Sequence, residues 1–215
     1  MTQNILQEID EDLERQKIEA LWKRYSVYVY VLAGAIVIGA AAMTGWHSHR
    51  EQKEQKASLA LIEILDDKNA DTSKQIAELE TFAQRNYGEA QAVIARLDAA
   101  GLAVKSGDLA KAVTLYDAVS SDTKADPFFR QLADLMAVQA QMDTADPVIL
   151  QKRLQPLLAD NAPWRFTAKE YAAFLALRAG DKAKAKQYFV ELSQDATVPK
   201  SLAERATDML RYINE

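Results

Sequence analysis

Residues 25–46 constrain this chain more than any other stretch. They read Tyr-Ser-Val-Tyr-Val-Tyr-Val-Leu-Ala-Gly-Ala-Ile-Val-Ile-Gly-Ala-Ala-Ala-Met-Thr-Gly-Trp, 22 residues without a formal charge. Coiled as an α-helix, such a run is about 33 Å long, and the hydrocarbon core of a bilayer is about 30 Å thick. Lys23 and Arg24 precede it, and His47, His49 and Arg50 follow. Tyr25, Tyr28 and Tyr30 stand near one end and Trp46 at the other, the placement expected of interfacial aromatic residues. A secretory leader would carry its charges at the extreme N-terminus, before an apolar run of about 7–15 residues. Here 24 mostly polar residues come first. A buried core helix seldom runs so long without a charge. The stretch therefore predicts a transmembrane helix over residues 25–46 that meets the lipid bilayer directly.

On one side of it lies a tail, residues 1–24. Leu6, Ile9, Leu13, Ala20 and Leu21 mark an apolar stripe at helical spacing, and Glu8, Asp10, Glu11, Asp12 and Glu14 fill the other faces. Helices that lie on a membrane usually carry Lys and Arg on the polar face. This acidic one reads as a solvated helical extension of the span, or as a face for a protein partner. On the other side, residues 47–56 hold no Gly or Pro and predict a polar helical stalk. Its two histidines, His47 and His49, are two residues apart, so on a helix they would point to different sides and not share one ion. Lys and Arg count Arg15, Lys17, Lys23 and Arg24 in the tail against Arg50, Lys53 and Lys56 beyond the span. The pair abutting the apolar run places the tail inside and the remaining 57–215 across the membrane, which in a Gram-negative bacterium is the periplasm. Within the span, Ala35 and Gly39 are four apart, as are Ala41 and Gly45, with Gly34 beside the first pair. Small residues at that spacing let a second membrane helix approach closely, making Gly34, Ala35, Gly39, Ala41 and Gly45 a candidate docking face.

From residue 51 onward the chain carries 21 Lys and Arg against 25 Asp and Glu, interspersed rather than in blocks. A surface of that kind does not attract nucleic acid, and no basic stripe is present. The chain has no Cys, which rules out disulfides, thiolate zinc sites and iron–sulfur clusters. Ala, Leu, Gln, Glu and Lys dominate, while Gly and Pro are few (seven and five). Such residues lose little freedom in a helix, so an all-α fold follows. Apolar-periodic segments are broken at Asp66–Asn69, Asn86–Gly88, Ser106–Asp108, Asp126-Pro127, Asp146-Pro147, Asn161–Pro163, Ala179–Asp181 and Pro199. Asp followed by Pro is a helix start, since Asp caps free N–H groups and Pro is tolerated in the first turn. The spacing predicts helices over Pro127–Gln141 and Pro147–Leu158 among others, in four pairs with a closing helix from about Pro199. No segment alternates with period two, so no sheet is expected.

Two of the breaks repeat one another. Gly107-Asp108-Leu109-Ala110-Lys111-Ala112-Val113-Thr114-Leu115-Tyr116 aligns with Gly180-Asp181-Lys182-Ala183-Lys184-Ala185-Lys186-Gln187-Tyr188-Phe189, 73 residues later. Each Gly is followed by a small residue at five (Ala112, Ala185), an aromatic at nine (Tyr116, Phe189) and an aliphatic at twelve (Val119, Leu192). Seven residues before each stands another Ala (Ala100, Ala173). Gly relieves a tight interhelical turn, Ala lets paired helices approach, and the aromatic fills the groove beside them. The offset is about twice a 34-residue period.

This pattern resembles the tetratricopeptide repeat, and implies an α-solenoid of helical hairpins with a concave binding face. The repeat usually has a large aromatic where this chain has Arg96 and Lys169, and another where it has Ala103 and Ala176, so the units are degenerate. The full layout of acidic tail, single span and repeat-like domain is similar to the YfgM-like ancillary subunits of the bacterial SecYEG translocon. That resemblance implies an inner-membrane protein with periplasmic repeats, linked to chaperone traffic around the translocon, and supplies no catalytic residue.

No enzyme constellation stands out. The soluble part has no His, the glycines are scattered singly, and Asp66-Asp67 or Glu78/Glu80 read as solvated faces or caps rather than acid–base pairs. No cofactor or small-molecule substrate is indicated. Pro163-Trp164-Arg165-Phe166 offers the best candidate for partner contact, because Trp and Arg favour interface anchors; the competing role for Trp164, Arg165 and Phe166 is packing at the start of a repeat helix. The expectation is a membrane-anchored protein-binding scaffold. An accessory subunit of another inner-membrane assembly, respiratory or envelope-building, would need the same parts. A membrane-bound hydrolase using carboxylates is the reading from a different class.

Overall fold

The computed structural model describes residues 43, 51–67 and 71–214. The chain divides into two units, residues 1–56 and 57–215. The tail, the residue 25–46 run apart from Met43, with its candidate docking residues Gly34, Ala35, Gly39, Ala41 and Gly45, and both histidines lie outside the described residues. Among the described residues, no helix is long and apolar enough to cross a membrane, and no strand is present.

The second unit is a run of consecutive helical hairpins, helix upon helix. Residues 51–66 are helical (α1). Then come α2 (Thr72–Arg85), α3 (Ala90–Lys105), α4 (Leu109–Ser120), α5 (Pro127–Gln141), α6 (Pro147–Leu154), a 3-10 turn (Gln155–Leu158), α7 (Arg165–Arg178), α8 (Lys182–Gln194) and α9 (Lys200–Asn214). Each helix from α2 onward packs chiefly on its neighbours in sequence, as stacked hairpins do. The all-α fold with repeat-like pairs is therefore as expected.

The Asp-Pro starts work as the sequence implies. Asp126 Oδ1 accepts the Phe128 N–H at 2.8 Å, and Asp146 Oδ1 accepts the Val148 N–H at 2.8 Å. Pro127 and Pro147 occupy the first helical turn, where no N–H is missed. One element differs from expectation. The helix predicted over Pro147–Leu158 ends at Leu154 and tightens into the 3-10 turn. Pro156 is the cause, since it has no N–H to donate and its ring crowds the preceding turn. The Gln155 N–H bonds Lys152 O, three residues back.

The core runs the length of the stack in three linked parts. Residues of α1 to α5 form the first, α5 to α7 the second, and α7 to α9 the third. Much of it is alanine: Ala95, Ala99, Ala100, Ala103, Ala133, Ala137, Ala173 and Ala176 are fully buried. Small side chains bring helix axes close, so backbone and neighbouring Leu, Val and Phe supply the packing.

Candidate interaction surface

The two matching turns are alike bond for bond. Gly107 and Gly180 have φ of +83° and +81°, a region Gly enters at little cost. Behind them, the Asp108 N–H reaches Ala103 O and the Asp181 N–H reaches Ala176 O, both at 2.9 Å. The Gly107 N–H reaches Val104 O and the Gly180 N–H reaches Leu177 O. This is the Schellman closure, which satisfies the last carbonyls of the first helix. Each Asp then turns to the second helix: Asp108 Oδ1 accepts the Lys111 N–H at 3.0 Å and Asp181 Oδ1 accepts the Lys184 N–H at 2.9 Å. One Gly-Asp pair thus ends one helix and starts the next. Around it, Ala100, Ala112, Tyr116, Ala173, Ala185 and Phe189 are all buried. The Phe189 ring meets Phe174 edge-on at 5.5 Å.

Where the repeat pattern usually has an aromatic, ion pairs stand instead. From α3, the Arg96 guanidinium donates to Asp122 Oδ2 at 2.9 Å in the loop before α5. Burial by itself would push the Asp122 carboxyl up. The Lys124 N–H, the Arg96 guanidinium and the Tyr87 hydroxyl outweigh it and hold the group below the usual carboxylate range. Lys169 pairs with Glu191 at 3.1 Å. Next to it, buried Glu170 receives two bonds from Arg205 of α9, at 2.8 and 2.9 Å, which raise the guanidinium pKa further. The two pairs therefore tie α7 to α8 and to α9. Sequence reasoning noted Arg96 and Lys169 only as departures. Their acidic partners lie 26 and 22 residues away in the chain, so no local spacing marks them.

Trp164, Arg165 and Phe166 are half-buried and do not act as one cluster. Trp164 packs on the second core part, and its Nε1–H donates to Phe128 O at 3.2 Å. Its ring lies 4.9 Å from that of Phe128, which is 42% exposed and was not singled out from the sequence. Phe166 packs on the third part, with the Arg165 guanidinium 4.0 Å over its ring. Together Trp164 and Phe128 form an aromatic ledge joining the starts of α5 and α7. The carboxylates weighed as pairs are separately engaged: Glu80 with Lys111 at 2.7 Å and Glu78 with Lys74 at 3.6 Å. Among the described residues no group of His, Cys, Asp or Glu is arranged to hold a metal. Among the described residues the concave features include an open groove between α1 and α2. Such grooves suit polypeptide rather than an enclosed small molecule.

A tetratricopeptide repeat-like domain model matches residues 19–191. The chain belongs to that family. It is also similar to a curated protein of Aggregatibacter actinomycetemcomitans named "Ancillary SecYEG translocon subunit", at 25% identity over 189 residues, covering 87% of this chain and 91% of the relative. That likeness supports the YfgM-like assignment drawn from the layout of the sequence. No solved structure matches.

Proposed function

We propose that this chain is an accessory subunit of the protein-export translocon, a membrane-anchored scaffold without catalytic chemistry of its own. The likeness to the ancillary translocon subunit over nearly the full length of both chains carries the reading. The repeat-like hairpins support a protein-binding role, because stacked pairs present extended grooves and edges to polypeptide segments. In this reading residues 1–24 are a cytoplasmic tail, 25–46 the span, 47–56 a stalk and 57–215 a periplasmic domain, in the bacterial inner membrane. Gly34, Ala35, Gly39, Ala41 and Gly45 dock the span beside a translocon helix. The domain, with the Trp164–Phe128 ledge as one contact, links the complex to periplasmic chaperones.

Affinity purification of the full chain in mild detergent, followed by mass spectrometry, tests it. Translocon subunits are expected in the eluate. Recovery of a respiratory or envelope-building complex in their place would refute the assignment. Gly34→Leu with Gly39→Leu is expected to release the translocon while leaving the helices of 57–215 intact by circular dichroism. External protease on spheroplasts is expected to remove the domain; full protection would invert the topology.

A further inference from the structure

A small cavity opens between the start of α3 and the loop before α5, with a volume of about 180 Å³. Its apolar walls are Ala90 and Val93 of α3, Ala125 of the loop and Phe129 of α5. That is too small for a cofactor or a drug-sized ligand, which need about 300 Å³ or more. It is large enough for one apolar side chain, since an engineered apolar cavity of about 150 Å³ takes up benzene. The cavity continues into the aromatic ledge. The Phe129 ring in its wall meets Phe128 edge-on at 5.4 Å, and Phe128 meets Trp164 at 4.9 Å.

The rim is held in place before anything binds. The Tyr87 hydroxyl donates to Asp122 Oδ1 at 3.4 Å, and the Lys124 ammonium lies 4.5 Å over the Tyr87 ring. The Lys124 stem packs against Gly88, where an added Cβ would come within 3.3 Å of it. A fixed rim lowers the ordering cost of binding. The rim also has a sign. Glu89, Asp122 and Asp126 stand against Lys124 and Arg96, the partner of Asp122, three charges against two, a net of one negative charge. A basic flank is therefore favoured over an acidic one. In an extended chain, side chains two residues apart lie on one face about 7 Å apart. That spacing carries one side chain into the cavity and the next onto the ledge.

We infer that the cavity and the Phe128–Trp164 ledge together bind an extended polypeptide segment with apolar residues at alternate positions and basic flanks. This deepens the protein-binding reading above and rests on it. The probe is the peptide Lys-Leu-Thr-Leu-Lys with both leucines replaced by the photoreactive diazirine analogue photo-leucine, added to the full chain in nanodiscs and irradiated. Mass spectrometry is expected to place the label on residues 88–93, 122–129 or Trp164. The shuffled peptide Lys-Leu-Leu-Thr-Lys and the flank-reversed Glu-Leu-Thr-Leu-Glu, with the same analogue, are expected to label about tenfold less. Ala90 is exposed at the first position of α3, so Ala90→Trp blocks the mouth of the cavity without entering the core. Phe128→Ala removes the ledge. Each should cut labelling about tenfold, as loss of an anchor does, while Ser201→Trp on α9 should leave it unchanged. Circular dichroism of each variant separates a lost site from a lost fold. The inference is overturned if the label falls elsewhere or is absent, if the shuffled or acidic peptide labels as well, or if folded Ala90→Trp labels as before. Labelling as expected without translocon recovery refutes only the subunit assignment, and translocon recovery without labelling refutes only this site.

Discussion

At the scale of single residues, the two Gly-Asp turns isolate a backbone effect. A Cβ built on Gly107 or Gly180 meets nothing within 4 Å. The cost of Gly→Ala there is then conformational, about 1 kcal/mol at each site. Urea unfolding of the 57–215 unit should show that loss for Gly107→Ala and for Gly180→Ala. The sites share no partner, so the double variant should sum the two within about 0.5 kcal/mol. Asn, which tolerates a left-handed backbone, should cost less than Ala. Asp122 supplies a second test, now of charge. Its folded pKa lies below the ordinary 3.8, so the unfolded chain binds the proton more readily. The stabilisation is present above the ordinary value and is lost as pH falls through the depressed one. Thermal unfolding across pH 3 to 6 should therefore fall more steeply in acid for the native chain than for Asp122→Asn. At neutral pH the Asn variant should be the less stable, because the Arg96 charge loses its partner.

At the scale of elements, α6 is the exception among well-packed helices. It has eight residues, stops before Pro156, and touches α5 and α7 more sparsely than the other neighbours touch each other. Arg153 compensates by spanning three helices. Its Nε donates to Asp134 of α5 at 2.9 Å and its terminal nitrogen to Asp117 of α4 at 2.6 Å. Those charge-assisted bonds fix α6 against elements that its short apolar face holds weakly. Arg153→Met keeps the aliphatic stem and removes the bonds. Hydrogen exchange of the α6 amides should rise about tenfold in that variant, with α3 and α4 unchanged. Asp-Pro marks the start of α6 in the sequence as clearly as it marks α5. Its early end was less legible, because Pro156 follows apolar residues whose helical spacing continues past it.

At the scale of the whole molecule, stability is shared between neighbours along the stack, so the last helix matters for those before it. Val198 and Leu202 complete the cluster that buries Phe189 and Leu192, and Arg205 balances the buried Glu170. A chain ending at Gln194 should lose both. The expected result is dye binding to exposed apolar surface and a lower unfolding temperature, whereas removing only Asn214 and Glu215 should change little. The arrangement also explains how the repeat tolerates its missing aromatics. Ala103 and Ala176 let the helices close up where a ring would usually sit, and the ion pairs of Arg96 and Lys169 occupy the other positions.

The sequence by itself determined the all-α class, the hairpin order and the two matching turns. Those depend on short-range chemistry: helical period, the αL freedom of Gly, and Asp as cap. The length and composition of residues 25–46 likewise stand in the sequence alone. Only the tertiary structure decided which polar groups meet. Arg96 with Asp122, Glu170 with Arg205, Arg153 with Asp117, and the Trp164 ring on Phe128 join residues 26 to 36 positions apart. Such pairs form because stacking sets one hairpin's side chains beside the next hairpin's, a distance in space that spacing along the chain does not encode.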